Sequence, residues 1–279
     1  MKVIQSNIPL AFGDLINIKT FLDDVKNEHD QINLTFHQPL FNIGVNTGTP
    51  DWAEKKKKWD KYLNDIGKLF FSEPPYTINL NQYPFLDAQD LVKKFRLKPR
   101  KPELSHLLCD GKSLDIGEYI VITTKIREAP RNLLYPLFIE LWGTLRQLSK
   151  KYKIVVLGER TVEMRKEYIG HSNTIFGIYE QIIANIPSDC IIDLTVPALG
   201  ETVSDLTQIR QDCLIMNEAE LVVTLGVGGN FCMATAVSNM VGFRADNLWL
   251  ADLVFTQEYP DCIVTKDWSR FISELEKYL

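Results

Sequence analysis

Two segments of this chain could hold a phosphorylated ligand. In the first, Thr124, Lys125 and Arg127 stand together and Arg131 follows four residues on, so three cations fall within seven positions. Arginine grips phosphate bidentately and lysine adds a compact charge, which suits a diphosphate. A solvated surface loop is the other reading of the same charges. The second segment is the turn Leu225-Gly226-Val227-Gly228-Gly229-Asn230. Amides at the start of a helix attract phosphate through unsatisfied N–H groups and the helix dipole. The turn is not a Walker motif, because no Gly-Lys-Ser/Thr closes it. It is not the full dinucleotide fingerprint either, because its glycines are spaced differently.

Two further places carry carboxylates. Glu201 and Thr202 lie in a polar stretch where Ser204 or Asp205 can cap a helix. A carboxylate there can hold ribose or sugar hydroxyls, and capping is the competing role. Near the start, Gly13 lets a ligand approach the backbone closely, and Asp14 stands beside it. Asp14 also fits the N-cap of a helix.

Other chemistries find little footing. His29, His37, His106 and His171 have no metal-site spacing. No Gly-x-Ser-x-Gly elbow occurs. No two aspartates are separated by a single residue, so an Asp-x-Asp metal–diphosphate motif is absent. Phosphate charge must then be met by Lys, Arg and helix ends, with no metal and no cofactor.

The elements that position these groups read as α/β. Residues 1–6 form a strand, Asp14 opens a helix through Val25, and residues 32–37 form a second strand. Residues 51–69 read as a helix bearing the run Lys55–Lys58 on a solvated face. A linker falls between Pro99 and Gly117. Beyond it the pattern is regular. Strands are expected at 119–124, 153–157, 190–194 and 221–225, and helices at 133–150, 161–168, 205–219, 231–239 and 268–279. Short connections between alternating strands and helices imply a parallel sheet covered on both faces.

The 279 residues suit two domains of roughly 140 each. We divide them at 1–115 and 116–279. A net charge of -5 gives no footprint for nucleic acid. Five widely spaced cysteines suit reduced thiols in the cytoplasm. No signal peptide is visible, and no run of about 18 apolar residues spans a membrane. Association with a membrane surface or as a homodimer is left open.

The residues also carry a family likeness. Met1-Lys2-Val3-Ile4 followed by Phe12-Gly13-Asp14-Leu15 resembles the opening of heptosyltransferase-like enzymes, the ADP-heptose:LPS family of the GT-B fold. Val155-Val156-Leu157-Gly158 and Ala219-Glu220-Leu221-Val222-Val223-Thr224, leading to the glycine-rich turn, are similar in order. The pattern spans about two thirds of the chain, and its motifs are loose. It departs at the late turn, where the family has Asp-Ser/Thr-Gly and then His. The resemblance implies two Rossmann-like domains facing a cleft. It also implies Asp14 as catalytic base, with Gly13 on the acceptor side. The basic segment and the glycine-rich turn would bind a nucleotide-sugar donor. The expected activity is transfer of a sugar to a glycan or other hydroxyl acceptor, inverting and metal-independent. A nucleotide-sugar epimerase or hydrolase, or a non-catalytic nucleotide-sugar binder, is the alternative.

Overall fold

The structure, a computed structural model, describes residues 3–9, 16, 19–20, 22–23, 26–28, 30–37, 70, 76–78, 101–127, 138–158, 160, 175–196, 206–226, 229–244 and 259–279. The chain forms two parallel sheets. The first contains β1 (Val3–Pro9), β2 (Gln31–His37) and β3 (Tyr76–Ile78), in that spatial order. β1 pairs with β2 from Val3↔Gln31 to Pro9↔His37. The first strand is thus longer than the sequence implies, and Pro9, which has no N–H to give, is its last residue. Ile16, Lys19, Thr20, Leu22 and Asp23 are helical, and Ile16 and Leu22 are buried, as the spacing after Asp14 predicts. Gly13, Asp14 and the expected helix over 51–69 lie outside the described residues, save for the continuation at Phe70.

The second sheet begins at β4 (Tyr119–Arg127). Then come α1 (Phe138–Leu148), β5 (Lys153–Leu157), β6 (Ile175–Gly177), α2 (Tyr179–Asn185) and β7 (Ile191–Asp193). α3 (Leu206–Glu218), β8 (Leu221–Leu225), α4 (Gly229–Val237), β9 (Met240–Phe243), β10 (Cys262–Thr265) and α5 (Trp268–Glu276) complete it. The spatial order is β10-β9-β8-β4-β5-β7, every pair parallel, with β6 antiparallel on the end of β4. Numbered within this sheet, that is 6-5-4-1-2-3, the doubly wound Rossmann order. The expected helix over 161–168 falls outside the described residues.

The sheet is buried on both faces, which explains why its strands read as continuous apolar runs rather than alternating ones. Ile120, Ile122, Ile154, Val156, Leu221 and Val223 point to one layer, against Phe138, Leu141 and Trp142 of α1 and Phe271 and Leu275 of α5. Val121, Val155, Leu157 and Val222 point to the other, against Cys213 and Met216 of α3 and Phe231 and Met233 of α4. Each large apolar side chain so buried contributes about 1.5–3 kcal/mol. Trp268 adds a polar tie, its indole N–H donating to Glu140 Oε2 at 3.1 Å. Cys190, Cys213, Cys232 and Cys262 are free thiols, the last three buried.

The connecting stretch is tied to α3. Gln211 accepts from the Lys112 amide at 3.0 Å and donates to the Lys112 carbonyl at 2.6 Å, and Ser113 donates to Glu218 at 2.5 Å. Leu104 and Leu107, in and beside the 3-10 turn Ser105–Asp110, join the apolar layer that holds α3 and reaches Ile16, Leu22, Ile32 and Phe70. Linker composition alone conceals this packing.

α3 also carries a half-buried carboxylate. Burial pushes Asp212 up to about 6, against the opposing hydrogen bond from Gln208 Nε2 at 2.7 Å. An unfolded aspartate titrates near about 3.9. Stability from the retained proton is therefore complete below about pH 4 and is lost as pH rises through about 6. Asp212→Asn carries no charge at any pH. It should gain about 1–3 kcal/mol on wild type between pH 4 and pH 7, read by urea unfolding at each pH. Parallel pH profiles would show that the carboxylate stays hydrated.

Candidate functional site

The two central strands of the second sheet, β4 and β8, send their chains to opposite faces. After β4 the chain reaches α1 in one layer, and after β8 it enters α4 in the other. Strand order reverses between them, and in open α/β sheets ligands bind outside the carboxyl ends of strands at such a point. The predicted phosphate-binding segments sit on these two ends.

Thr124 is fully buried on β4, and its carbonyl accepts from the Ile178 amide at 2.9 Å. Gly158 closes the neighbouring β5 with φ +112, a conformation that side chains disfavour. A Cβ placed on Gly158 would fall 2.6 Å from Thr124 Oγ1 and 3.2 Å from Asn230 Nδ2. The missing side chain therefore lets a hydroxyl, a backbone and a carboxamide converge. Gly226 turns the chain out of β8 at φ +91, with its N–H on the Phe243 carbonyl at 2.7 Å. Gly229 and Asn230 then open α4, so the Asn230 carboxamide stands where helix amides lack intrahelical partners.

The basic segment differs from the expected loop. β4 continues through Lys125 and Arg127, which pair antiparallel with Gly177 and Ile175 of β6. The register against β8 shifts between Ile122 and Ile126, so the strand bends out of the parallel sheet and finds a new partner. A single-strand pattern does not reveal a three-residue partner some 50 positions away. Gly13, Asp14, Arg131, Glu201, Thr202 and Gly228 lie outside the described residues.

A second polar group stands along the same edge. Arg160 Nη2 donates to Asp193 Oδ2 at 2.9 Å, and Arg160 Nε donates to Thr195 Oγ1 at 3.3 Å. Tyr179, the first residue of α2, donates its hydroxyl to Asp193 Oδ2 at 2.7 Å. The guanidinium lies over the Tyr179 ring, 5.3 Å from its centroid. Thr195 donates to Asp193 Oδ1 from its hydroxyl at 2.5 Å and its amide at 3.0 Å. Burial pushes Asp193 up, but bonds from Thr195 and Tyr179 and the charge of Arg160 outweigh it and hold the carboxyl below its ordinary value. The bond to Asp193 in turn raises the Tyr179 phenol.

Sequence reasoning missed Gly158 as more than a strand end, and missed Arg160, Tyr179, Asp193 and Thr195 altogether. Asp193-Leu194-Thr195 does carry a local signal, since an aspartate that bonds the amide two residues on is a known turn device. Among the described residues, no three His, Cys, Asp or Glu side chains are grouped to hold a metal ion.

Among the solved structures that resemble this chain are three with the following names. The E. coli ADP-heptose LPS heptosyltransferase II is 13% identical over 100% of this chain and 98% of its own, at a TM-score of 0.49. The glycosyl transferase family 9 protein of Veillonella parvula is 13% identical over 100% and 92%, at 0.48. The iron-containing dodecameric glycosyltransferase TibC of enterotoxigenic E. coli is 13% identical over 94% and 62%, at 0.47. All three bear the names of glycosyltransferases. No protein-family model matches the chain, and no curated protein matches it. At these values the likeness assigns no activity; the fold stands on the strand order and register above.

Chemically, the edge offers a small polar cradle at Gly158 and Asn230, floored by the buried Thr124, a helix start beside it, and a fixed guanidinium farther along. Those groups can bind phosphate and neutral acceptors.

Proposed function

We propose that the chain is a GT-B glycosyltransferase that moves a sugar from a nucleotide-sugar to a hydroxyl acceptor, inverting the anomeric centre without a metal. The observation that carries this reading is the meeting of Thr124, Gly158 and Asn230 at the switch point between β4 and β8. Residues 116–279 would form the donor domain and residues 1–115 the acceptor side. Lys125, Arg127 and Arg131, with the start of α4, would meet the diphosphate. Glu201 and Thr202 would hold ribose or sugar hydroxyls. Asp14, beside Gly13, would take the acceptor's proton. A cytoplasmic placement fits the free thiols, and among the described residues no helix is long and apolar enough to cross a membrane.

A thermal-shift panel of nucleotide-sugars tests the reading, because a ligand that binds the native state alone raises its stability. One donor should raise the midpoint in the presence of a chelator. No shift with any member would sink the proposal.

The cations give a second test. Lys125→Ala and Arg127→Ala should each weaken donor binding by about 1.5–3 kcal/mol, the worth of a charge-assisted hydrogen bond. Titration calorimetry against the donor found in the panel measures this. Unchanged affinity in both variants would remove the segment from the site.

A further inference from the structure

We propose that Arg160 determines nucleotide specificity by reading an oxo group on the donor's nucleobase; this rests on the glycosyltransferase reading above. Arg160 is fixed on three sides, by Asp193, Thr195 and the Tyr179 ring. Its side chain is nevertheless 51% exposed, against 25% for Asp193. Nε and Nη2 are engaged, and among the described residues Nη1 makes no hydrogen bond. A long side chain held this firmly, with one amino group that no described residue engages, is pre-organised for a ligand and loses little freedom on binding.

Charge decides what kind of group it receives. Asp193 is ionised and within 2.9 Å, so the pair is neutral as a unit. A phosphate gains more from a helix start, which lies at the β8 end where α4 opens. A neutral acceptor loses less water on meeting the pair. Position agrees. Arg160 comes two residues after Gly158, and Asp193 ends β7, one strand beyond β5. Neighbouring strands are about 4.8 Å apart, so the pair lies roughly one to two strand spacings from the Thr124–Gly158–Asn230 cradle. With the diphosphate in that cradle, ribose and base extend over this distance.

The donor chemistry then selects the base. A guanidinium donates and never accepts. Guanine and uracil present carbonyl oxygens, and guanine O6 with N7 is the favoured arginine target, whereas adenine sets an exocyclic amino donor at the matching position. Arg160 therefore favours an oxo-bearing base over adenine.

Titration calorimetry with UDP, GDP and ADP tests this on wild type, Arg160→Lys and Arg160→Gln. Wild type should bind UDP or GDP at least about 10-fold tighter than ADP, the ratio expected for a hydrogen bond to a charged donor. Both variants should bring that ratio close to one and leave ADP affinity unchanged. Lysine keeps the charge and the pairing with Asp193 but lacks the fork, so its failure to rescue separates reading from mere charge. Unfolding midpoints establish that the variants are folded. Equal losses for all three nucleotides, or a wild-type preference for ADP, would overturn the inference and leave the transferase reading standing. No binding of any of the three to wild type would overturn both.

Discussion

Asp14→Asn should leave the fold and donor affinity intact while turnover falls about 10²–10⁴-fold. In the proposed reaction the acceptor oxygen attacks the anomeric carbon, and a nearby base must take its proton as the bond forms. Asp14 is the carboxylate of the segment that follows β1, beside a glycine that gives the acceptor room. Its competing role is to cap the helix that carries Ile16 and Leu22. A lost cap costs about 1 kcal/mol and leaves chemistry largely alone. Asparagine caps nearly as well as aspartate but is no base, so the substitution separates the two roles. The measurements are steady-state turnover, donor affinity by calorimetry and the unfolding midpoint. Collapse of turnover alone supports the base. Near-native turnover would place the base elsewhere.

Gly158→Ala should destabilise the chain by about 2–6 kcal/mol and abolish donor binding in whatever fraction remains folded. One part is backbone strain, since a non-glycine residue at φ +112 costs about 1–3 kcal/mol. The other is overlap with Thr124 Oγ1 and Asn230 Nδ2, at 2.6 and 3.2 Å from the added carbon. Overpacking of this kind costs about 1–3 kcal/mol. Thr124 is fully buried on a central strand, so it has little room to yield. Asn230 can give way more easily, but only by moving the carboxamide that would meet the donor. Urea unfolding and donor titration read the two effects separately. Wild-type stability with wild-type affinity would show that the three groups do not form one rigid site.

Structure is legible in the sequence where a residue's environment is written into its neighbours. Lys153–Leu157 and Leu221–Leu225 are continuous apolar runs because both faces of each strand are covered, and both were expected within a residue. The glycine at the exit of β8 is legible for a similar reason: Gly226 turns the chain at φ +91, a conformation that side chains disfavour. Short elements defined by their partners were invisible. Ile175–Gly177 is a strand only because the end of β4 is there to pair with it. Met240–Phe243 and Cys262–Thr265 span four residues each, too few for a period to declare itself.

The same distinction runs through the site. Thr124, Gly226, Gly229 and Asn230 are candidates that local motif and position alone put forward, and the fold sets them at the strand ends. The clamp around Arg160 was not, because Arg160, Tyr179 and Asp193 come from three segments that meet only after the sheet has ordered them. Charge alone puts Lys125 and Arg127 forward as donor-binding candidates on a loop, whereas they lie on a paired strand, since nothing in a basic stretch announces that it is paired. Fold class was therefore more legible than site geometry.

The most direct test of sugar transfer is an NMR time course of the donor anomeric signal, taken on a panel of nucleotide-sugars with excess chelator. A transferase without its acceptor hydrolyses its own donor slowly. The account predicts loss of the anomeric signal of one donor, with release of free sugar and nucleoside diphosphate and no need for added metal. Donors left intact across the whole panel, or conversion of one nucleotide-sugar into its epimer with the diphosphate still attached, would contradict it.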